Sequence, residues 1–111
     1  MTPYKIGCML INMTRTFIET KVFTRQWTEL GLSEEDLRLL QNQILEDPKV
    51  GNVIPGTGGV RKMRIAFPGR GKSGSGRVCY VDFAIYETVY LMAVYGKNKK
   101  ENLTAEEKNH L

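Results

Sequence analysis

The spacing of apolar residues predicts two amphipathic helices in the first half of the chain. Phe23, Trp27 and Leu30 recur at helical intervals, and Gly31 suits the position just beyond a helix end. We therefore place the first helix at Val22–Leu30.

A second helix is predicted to follow directly. Ser33 is a favourable N-cap, and the acidic residues after it lie in the first turn, where the helix dipole stabilises negative charge. The buried stripe of this helix comprises Leu37, Leu40 and Ile44. Pro48 ends it, because the residue before a proline disfavours helical geometry. The pattern thus predicts a helix over Ser33–Glu46.

Four segments have the composition or the alternation of strands. They are Arg15–Thr20, Val60–Phe67, Arg77–Tyr86 and Thr88–Tyr95. Apolar residues fill both faces of Thr88–Tyr95, which is typical of a strand in the middle of a sheet. Together the elements predict an α+β fold in which both helices pack on one face of the sheet.

The length of 111 residues supports one domain, which we place at residues 14–111. Residues 1–13 contain an apolar stretch, Ile6–Ile11, that is too short to span a bilayer and lacks an obvious cleavage site. We interpret them as an N-terminal extension of unknown role. Thr104 and Glu107 form a capping-box pattern, which predicts a further helix near the end of the chain.

Positive charge is concentrated in one glycine-rich stretch of the second half. Between Asp47 and Asp82 there are seven lysines and arginines and no acidic residue. This stretch carries +7 in a chain of net charge +4, so the remaining residues sum to −3. Such a concentration suits a polyanion, because each neutralised phosphate releases condensed counterions. The plainer interpretation is a solvated surface.

The strand alternation brings two of these cations together. Lys62 and Arg64 alternate with Met63 and Ile65, so the two cations share a face of the predicted strand. Residues two apart on a strand lie about 6–7 Å from each other, a separation that can grip neighbouring phosphates. This placement favours a phosphate-binding surface.

An ordered series of motifs runs through the second half of the chain. It comprises Gly56–Arg64, Gly69–Gly74, Gly76–Val78, Tyr95–Asn98 and Asn102–Thr104. From about Thr16 to Leu111 the chain resembles the RelE/HigB family of bacterial type II toxins, most closely its HigB-like branch. The resemblance implies a RelE-like ribonuclease fold: two N-terminal helices packed on a twisted, mainly antiparallel sheet of about four strands. It also implies messenger RNA cleavage on the ribosome and inhibition by a cognate antitoxin.

The resemblance further implies a catalytic set without a metal or a cofactor. Cleavage by the 2′-hydroxyl of RNA needs a base for that hydroxyl, cations for the pentavalent phosphate and an acid for the departing 5′-oxygen. By resemblance we expect Lys62, Arg64, Arg77 and Lys97 to share these roles. Neighbouring positive charges disfavour a protonated lysine, so Lys62 is the better candidate for the base or proton shuttle. Arg77 can alternatively be a packed structural residue.

Five further residues are candidates for holding the RNA. Arg70 and Lys72 are expected to bind flanking phosphates, and Tyr80 and Tyr95 to stack on bases. Asn98 is expected to contact the substrate near the end of the last strand. The plainer interpretations are that the two tyrosines pack in the sheet and that Asn98 shapes a turn.

Two functions remain open at this point. The first is a ribosome-dependent endoribonuclease toxin that inhibits translation, and the alternative is a non-catalytic RNA- or ribosome-binding protein of the same fold. The expected partners are an antitoxin of the helix-turn-helix type, the ribosome and messenger RNA, with no membrane. Two distant cysteines do not form a disulfide framework, so we expect a reducing cytoplasm.

Overall fold

A computed structural model describes residues 4–8, 13–67 and 75–96. Their elements, in chain order, are the strands β1 (Tyr4–Cys8) and β2 (Met13–Glu19), the helices α1 (Lys21–Glu29) and α2 (Glu34–Glu46), and the strands β3 (Asn52–Val53), β4 (Arg61–Ala66), β5 (Ser75–Phe83) and β6 (Thr88–Gly96). A 3₁₀ turn, Ala84–Tyr86, joins the last two strands. No helix within these ranges is long and apolar enough to cross a membrane.

The strands form one mixed sheet in the order β1-β2-β6-β5-β4-β3. Every neighbouring pair is antiparallel except β2 and β6, which are parallel. The predicted α+β class is confirmed, and β6 lies inside the sheet as its apolar pattern predicted. The sheet has six strands where about four were predicted. One of the additional strands, β1, comes from the N-terminal segment, and the other, β3, has only two residues.

Both helices have the ends that their sequence predicted. The Ser33 hydroxyl accepts a hydrogen bond from the Asp36 N–H at 3.1 Å, and the Asp36 carboxylate accepts one from the Ser33 N–H at 2.8 Å. This reciprocal pair is a capping box that satisfies two N–H groups at the start of α2. Gly31 follows α1 with φ of 72°, a conformation that side-chain-bearing residues adopt only at a cost.

The main core lies between the two helices and one face of the sheet. Its largest members include Phe23 and Trp27 from α1, Leu40 and Ile44 from α2, and Phe17, Met63, Ile65, Val78, Tyr80, Val89 and Leu91 from the strands. The rings of Phe23 and Trp27 stack with centroids 5.4 Å apart. A second, smaller cluster comprises Ile54, Val60, Cys79, Ala93 and Tyr95. The sheet is therefore apolar on both sides near its centre, which explains the pattern of β6.

A β-bulge at Met92 changes which side chains of β6 face the helices. Tyr80 pairs with Leu91 whereas the preceding Cys79 pairs with Ala93, so Met92 is the extra residue. Leu91 belongs to the main core, but Ala93 belongs to the cluster on the opposite face. Beyond the bulge, the side chains of β6 therefore alternate between the two faces of the sheet with the opposite phase.

The N-cap and a side chain of α1 satisfy backbone groups of β6 that lie beyond the end of its pairing with β2. The pairing of β2 with β6 ends at Leu91. Beyond it, the Thr20 hydroxyl donates a hydrogen bond to the Met92 carbonyl at 2.8 Å, and the Gln26 side-chain oxygen accepts one from the Val94 N–H at 2.9 Å. The start of α1 therefore continues the sheet where β2 stops.

The strand predicted at Arg77–Tyr86 is too long. In the structure β5 ends at Phe83, and the chain reverses through the 3₁₀ turn and Glu87, which has a positive φ of 49°. Ile85 and Tyr86 are 85% and 71% exposed, so their apolar character, which favoured a strand in the sequence, does not reflect burial here.

The hydroxyl of Tyr80 joins the main core to the segment that follows α2. Tyr80 is 0% exposed, and its hydroxyl accepts the Gly51 N–H at 3.0 Å and donates to the Pro48 carbonyl at 2.9 Å. Burial raises the pKa of Tyr80 above its ordinary value, so the hydroxyl retains the proton that it donates. The side chain of Tyr80 therefore attaches both ends of the segment Pro48–Gly51 to the sheet.

We predict that Tyr80→Phe lowers the free energy of unfolding by about 1–3 kcal/mol, because the Gly51 N–H and the Pro48 carbonyl lose their partner. Chemical denaturation at neutral pH measures this loss. Tyr90→Phe is the control, since Tyr90 packs edge-on against Phe83 and no hydrogen bond of its hydroxyl occurs among the described residues. Equal stability of the two variants would contradict the role of the hydroxyl.

The raised pKa of Tyr80 also predicts the direction of a pH effect. The unfolded chain ionises this phenol above its ordinary pKa of about 10, whereas the folded chain resists ionisation. Its stabilising contribution is therefore complete below pH 10 and is lost as the pH rises through the folded-state pKa. The difference in unfolding free energy between the wild type and Tyr80→Phe should shrink over that window.

Candidate nucleic-acid interface

Three of the predicted catalytic residues line one cleft at the β4 side of the sheet. The cleft has a volume of about 850 Å³, within the range of small-molecule sites. Lys62, Arg64 and Arg77 lie on its sheet side. The cleft extends around the β4 edge of the sheet, because Met63 and residues from the end of α2 and the segment after it also line it: Gln43, Glu46, Asp47, Val50 and Asn52.

The alternation predicted for β4 is observed. Met63 and Ile65 are buried in the core beneath the helices, whereas Lys62 is half-buried and Arg64 is exposed. The two cations therefore project from the face opposite to the helices. Their shared face agrees with the sequence pattern, and their roles in catalysis stay a prediction.

Arg64 lies directly opposite Arg77 in the pairing of β4 with β5. Directly paired residues of an antiparallel ladder have Cα atoms about 4.5–5.5 Å apart, and like charges in such positions are destabilising. In the described part of the chain neither arginine forms an ion pair. By contrast, the buried Arg15 is neutralised by Asp82 at 2.9 Å. Among the described residues, therefore, nothing balances the charges of these two arginines in the cleft.

Arg77 is both a packed residue and a cleft residue. It is only 9% exposed, and one of its guanidinium nitrogens donates to the Gly76 carbonyl at 3.2 Å. It lies between Arg64 on one neighbouring strand and Tyr95 on the other. Arg77 can thus be a packed residue and still bind a ligand. Packing holds its side chain in a position where part of it lines the cleft.

The segment after α2 is held in place by close backbone contact. A Cβ atom on Gly51 would lie 3.0 Å from the Lys62 carbonyl group and 3.1 Å from the Tyr80 ring, so a glycine is needed for this approach. Arg61 donates to the Gly51 carbonyl at 2.8 Å, which gives this arginine a structural role. Asn52 pairs with Lys62 in the sheet. These contacts hold the segment after α2 against β4.

The structure corrects the prediction that two tyrosines stack on RNA bases. Tyr80 lies in the core beneath the helices with 0% of its surface exposed, so no base can reach its ring. Tyr95 lies on the same face as Arg77, but only 8% of it is exposed. Both are packing residues in this arrangement, as the plainer interpretation held.

The remaining predicted site residues lie outside the described residues. They are Lys97, Arg70, Lys72 and Asn98, and their roles stay predictions. The same holds for the predicted helix from Thr104. Among the residues that are described, no three His, Cys, Asp or Glu side chains are close enough to hold a metal ion.

Three residues that line the cleft were not among the predicted site residues. Gln43, Glu46 and Asp47 were assigned only to the end of a helix, yet they line the cleft. One signal was present in the sequence: two acidic residues stand at a helix C-terminus, where the dipole disfavours negative charge. An unfavourable charge of this kind indicates a role other than helix stability.

The fold and the cleft define a small α+β protein in which three cationic residues line an open cleft beside β4. A family model described as the RelE toxin of the RelE/RelB toxin–antitoxin system matches residues 14–111. The chain therefore belongs to the RelE toxin family, whose members are in general messenger-RNA-cleaving ribonucleases. The closer resemblance to the HigB-like branch stays a prediction.

The fold is similar to that of a solved member of the family. The structure of an arginine-to-alanine double mutant of the E. coli toxin RelE in the free state matches with a TM-score of 0.51 and 16% sequence identity. The match covers 85% of this chain and 90% of that one. At this identity the likeness supports the fold and not the individual site residues.

We predict that Arg64→Gln raises the free energy of unfolding by roughly 0.2–1 kcal/mol at low salt, because it removes a like charge directly opposite Arg77. The gain should disappear in 1 M salt, where charges are screened over about 3 Å. Arg38→Gln, at an exposed position of α2, is the control and should show no such gain. A salt-independent loss of stability in Arg64→Gln would contradict the electrostatic cost.

Proposed function

We propose that this toxin is a ribosome-dependent endoribonuclease that cleaves translated messenger RNA through the RNA's own 2′-hydroxyl. The observation that supports this most is the direct opposition of Arg64 and Arg77 beside Lys62 in an open cleft. Such an arrangement costs folding stability, and a bound phosphate removes the cost. In a family of messenger-RNA-cleaving toxins, the phosphate is that of the scissile linkage.

The proposed reaction needs only groups of the RNA and cationic side chains. The 2′-oxygen attacks the adjacent phosphorus while its proton passes to the Lys62 amine, and the bond to the 5′-oxygen breaks as that oxygen takes a proton from the Lys97 ammonium group. The products are a 2′,3′-cyclic phosphate and a 5′-hydroxyl end. Arg64 and Arg77 keep their protons and stabilise the charge on the pentavalent phosphate. Lys97 completes the proposed catalytic set.

Residues beyond the cleft hold the rest of the substrate in this proposal. Arg70 and Lys72 bind flanking phosphates, and Asn98 contacts the RNA close to Lys97. No metal or cofactor takes part. The ribosome aligns the scissile phosphate, because a site made only of lysines and arginines lacks a strong acid–base pair and depends on positioning. The protein acts in the cytoplasm, where messenger RNA is translated.

A non-catalytic RNA- or ribosome-binding protein of the same fold is the second candidate. The partial burial of Lys62 and the packing of Arg77 are compatible with either function. The two differ in one outcome: a binding protein inhibits translation without producing new RNA ends.

We predict that Arg64→Gln lowers the rate of messenger RNA cleavage on ribosomes about 100-fold, because it removes one cation from the transition state. The measurement maps new 5′ ends after induction of the chain in bacteria, and repeats the assay with purified ribosomes. Arg38→Gln should cleave as the wild type does. Purified wild-type protein should leave naked RNA largely intact.

Three outcomes would contradict this proposal in different ways. Equal cleavage by Arg64→Gln and the wild type would show that Arg64 is not part of the catalytic site. Efficient cleavage of free RNA would show that the ribosome is not required. Arrest of translation without new RNA ends would favour the non-catalytic alternative.

We further propose that the antitoxin acts on the cationic cleft, either by covering it or by blocking entry to the ribosome. A double charge reversal, Lys62→Glu with Arg64→Glu, should abolish toxicity. It should also weaken antitoxin binding if the partner covers these residues, because complementary charge then turns repulsive. Calorimetric titration measures the affinity. Unchanged affinity would exclude direct masking and leave steric exclusion from the ribosome as the mechanism.

A further inference from the structure

The turn between β5 and β6 carries the most exposed large apolar side chains of the described residues. Ile85 and Tyr86 are 85% and 71% exposed, and Phe83, at the end of β5, is 43% exposed. Together these three residues, which form the turn patch, expose roughly 400 Å² of mainly apolar surface. Apolar surface of this extent on a small protein is often an interaction site.

The backbone of the turn is fixed, although the side chains of the turn patch lie outside both core clusters. The Glu87 carbonyl accepts the Thr16 N–H at 2.7 Å, and the Glu87 carboxylate accepts the Thr14 hydroxyl at 3.0 Å. The Thr88 hydroxyl donates to the Tyr86 carbonyl at 2.9 Å. The backbone of a turn held in this way loses little conformational freedom when a partner binds.

The local charge disfavours RNA as the ligand of the turn patch. Residues 78–96 contain two acidic residues, Asp82 and Glu87, and no lysine or arginine. Arg15 neutralises Asp82 at 2.9 Å, whereas Glu87 is exposed and forms no ion pair within the described residues. A surface with negative charge and no cation repels phosphate. The turn patch therefore fits a protein that presents apolar side chains and a basic residue.

The turn patch is separate from the cationic cleft. Phe83 and Arg77 lie on the same face of β5 but six residues apart, which is about 20 Å along a strand. A partner bound only to the turn therefore leaves the cations of the cleft uncovered. A partner that also covers the cleft must extend along the sheet.

A second copy of the chain is a poor occupant of the turn patch. Standard protein–protein interfaces bury about 800 Å² on each partner, which is about twice the area of the patch. In a twofold contact the patch meets itself, so the Glu87 carboxylates of the two copies share one interface without a cation. A different protein that covers the patch and continues over neighbouring surface fits better.

We propose that the turn patch is a docking site for the antitoxin, which contacts Ile85 and Tyr86 with an apolar segment and Glu87 with a basic residue. The family of this chain is that of a toxin–antitoxin pair, so an antitoxin is the protein partner that the family assignment supplies. Tyrosine is enriched among the residues that dominate binding energy, whereas charge contacts contribute more to association rate. The inference goes beyond the proposed catalysis and adds a second contact to the one proposed at the cleft.

Calorimetric titration of the full-length toxin with its antitoxin tests this docking site. Ile85→Ser combined with Tyr86→Ser should weaken binding at least about 30-fold, because two central contacts are lost. Leu39→Ser, at a 60% exposed position of α2, is the matched control and should bind as the wild type does. Circular dichroism should show native folding of both variants, since neither removes a buried side chain. Unchanged affinity of the double variant, or an equal loss in Leu39→Ser, would overturn the inference.

A further variant tests the charge of the partner. Glu87→Gln keeps an oxygen that can accept the Thr14 hydroxyl but removes the negative charge. It should weaken antitoxin binding about two- to fivefold at low salt and leave it unchanged in 1 M salt, where charges are screened. Unchanged affinity at low salt would overturn the assignment of a basic residue to the partner.

Two measurements separate the antitoxin from other occupants. Expressed without antitoxin, the double serine variant should arrest translation as the wild type does; lost arrest with unchanged antitoxin affinity would assign the patch to the ribosome and overturn the inference. The purified wild type should sediment as a monomer, and a dimer that the double variant abolishes would overturn the inference in favour of a second copy. The calorimetric result does not depend on RNA cleavage, so this inference and the proposed function fail separately.

Discussion

The structure depends on the buried phenol of Tyr80. Its ring is the largest of the fully buried side chains, and its hydroxyl bonds both Pro48 and Gly51. One residue thus fills the core between the helices and the sheet and also fixes the segment that leaves α2. Because that segment and its neighbour Lys62 both line the cleft, packing in the core sets the geometry of the candidate site.

Charged residues that line the cleft occupy positions that destabilise the fold. Arg64 opposes Arg77 across two strands, and Glu46 stands at the unfavourable end of a helix. Elsewhere the same chain places charge favourably, with acidic residues in the first turn of α2 and Arg15 paired with Asp82. This contrast supports the proposal that the cleft is the functional site, because a bound phosphate would offset the unfavourable charge of Arg64 and Arg77.

Local sequence signals predicted most of the fold and part of the site. The helix ends at Gly31 and Ser33 were predictable because they depend only on residues nearby in the sequence. The shared face of Lys62 and Arg64 was predictable because side chains alternate along a strand. The bulge at Met92 was not predictable. Both faces of β6 are apolar, so the sequence pattern is the same whichever face each side chain of β6 occupies. The position of the acidic residues beside β4 was also not predictable, since it depends on the contact of Tyr80 with Pro48 across 32 residues of sequence.

The central claim is that the cationic face of β4 and β5 holds the scissile phosphate of messenger RNA. The most direct test is a structure of the toxin on a translating ribosome with a messenger RNA that has a 2′-deoxy residue at the cleavage position, which prevents the reaction. The account predicts that the phosphate after this residue lies between Arg64 and Arg77, within hydrogen-bond distance of both, with Lys62 beside the 2′ carbon. A messenger RNA bound elsewhere on the toxin, with this cleft empty, would contradict it.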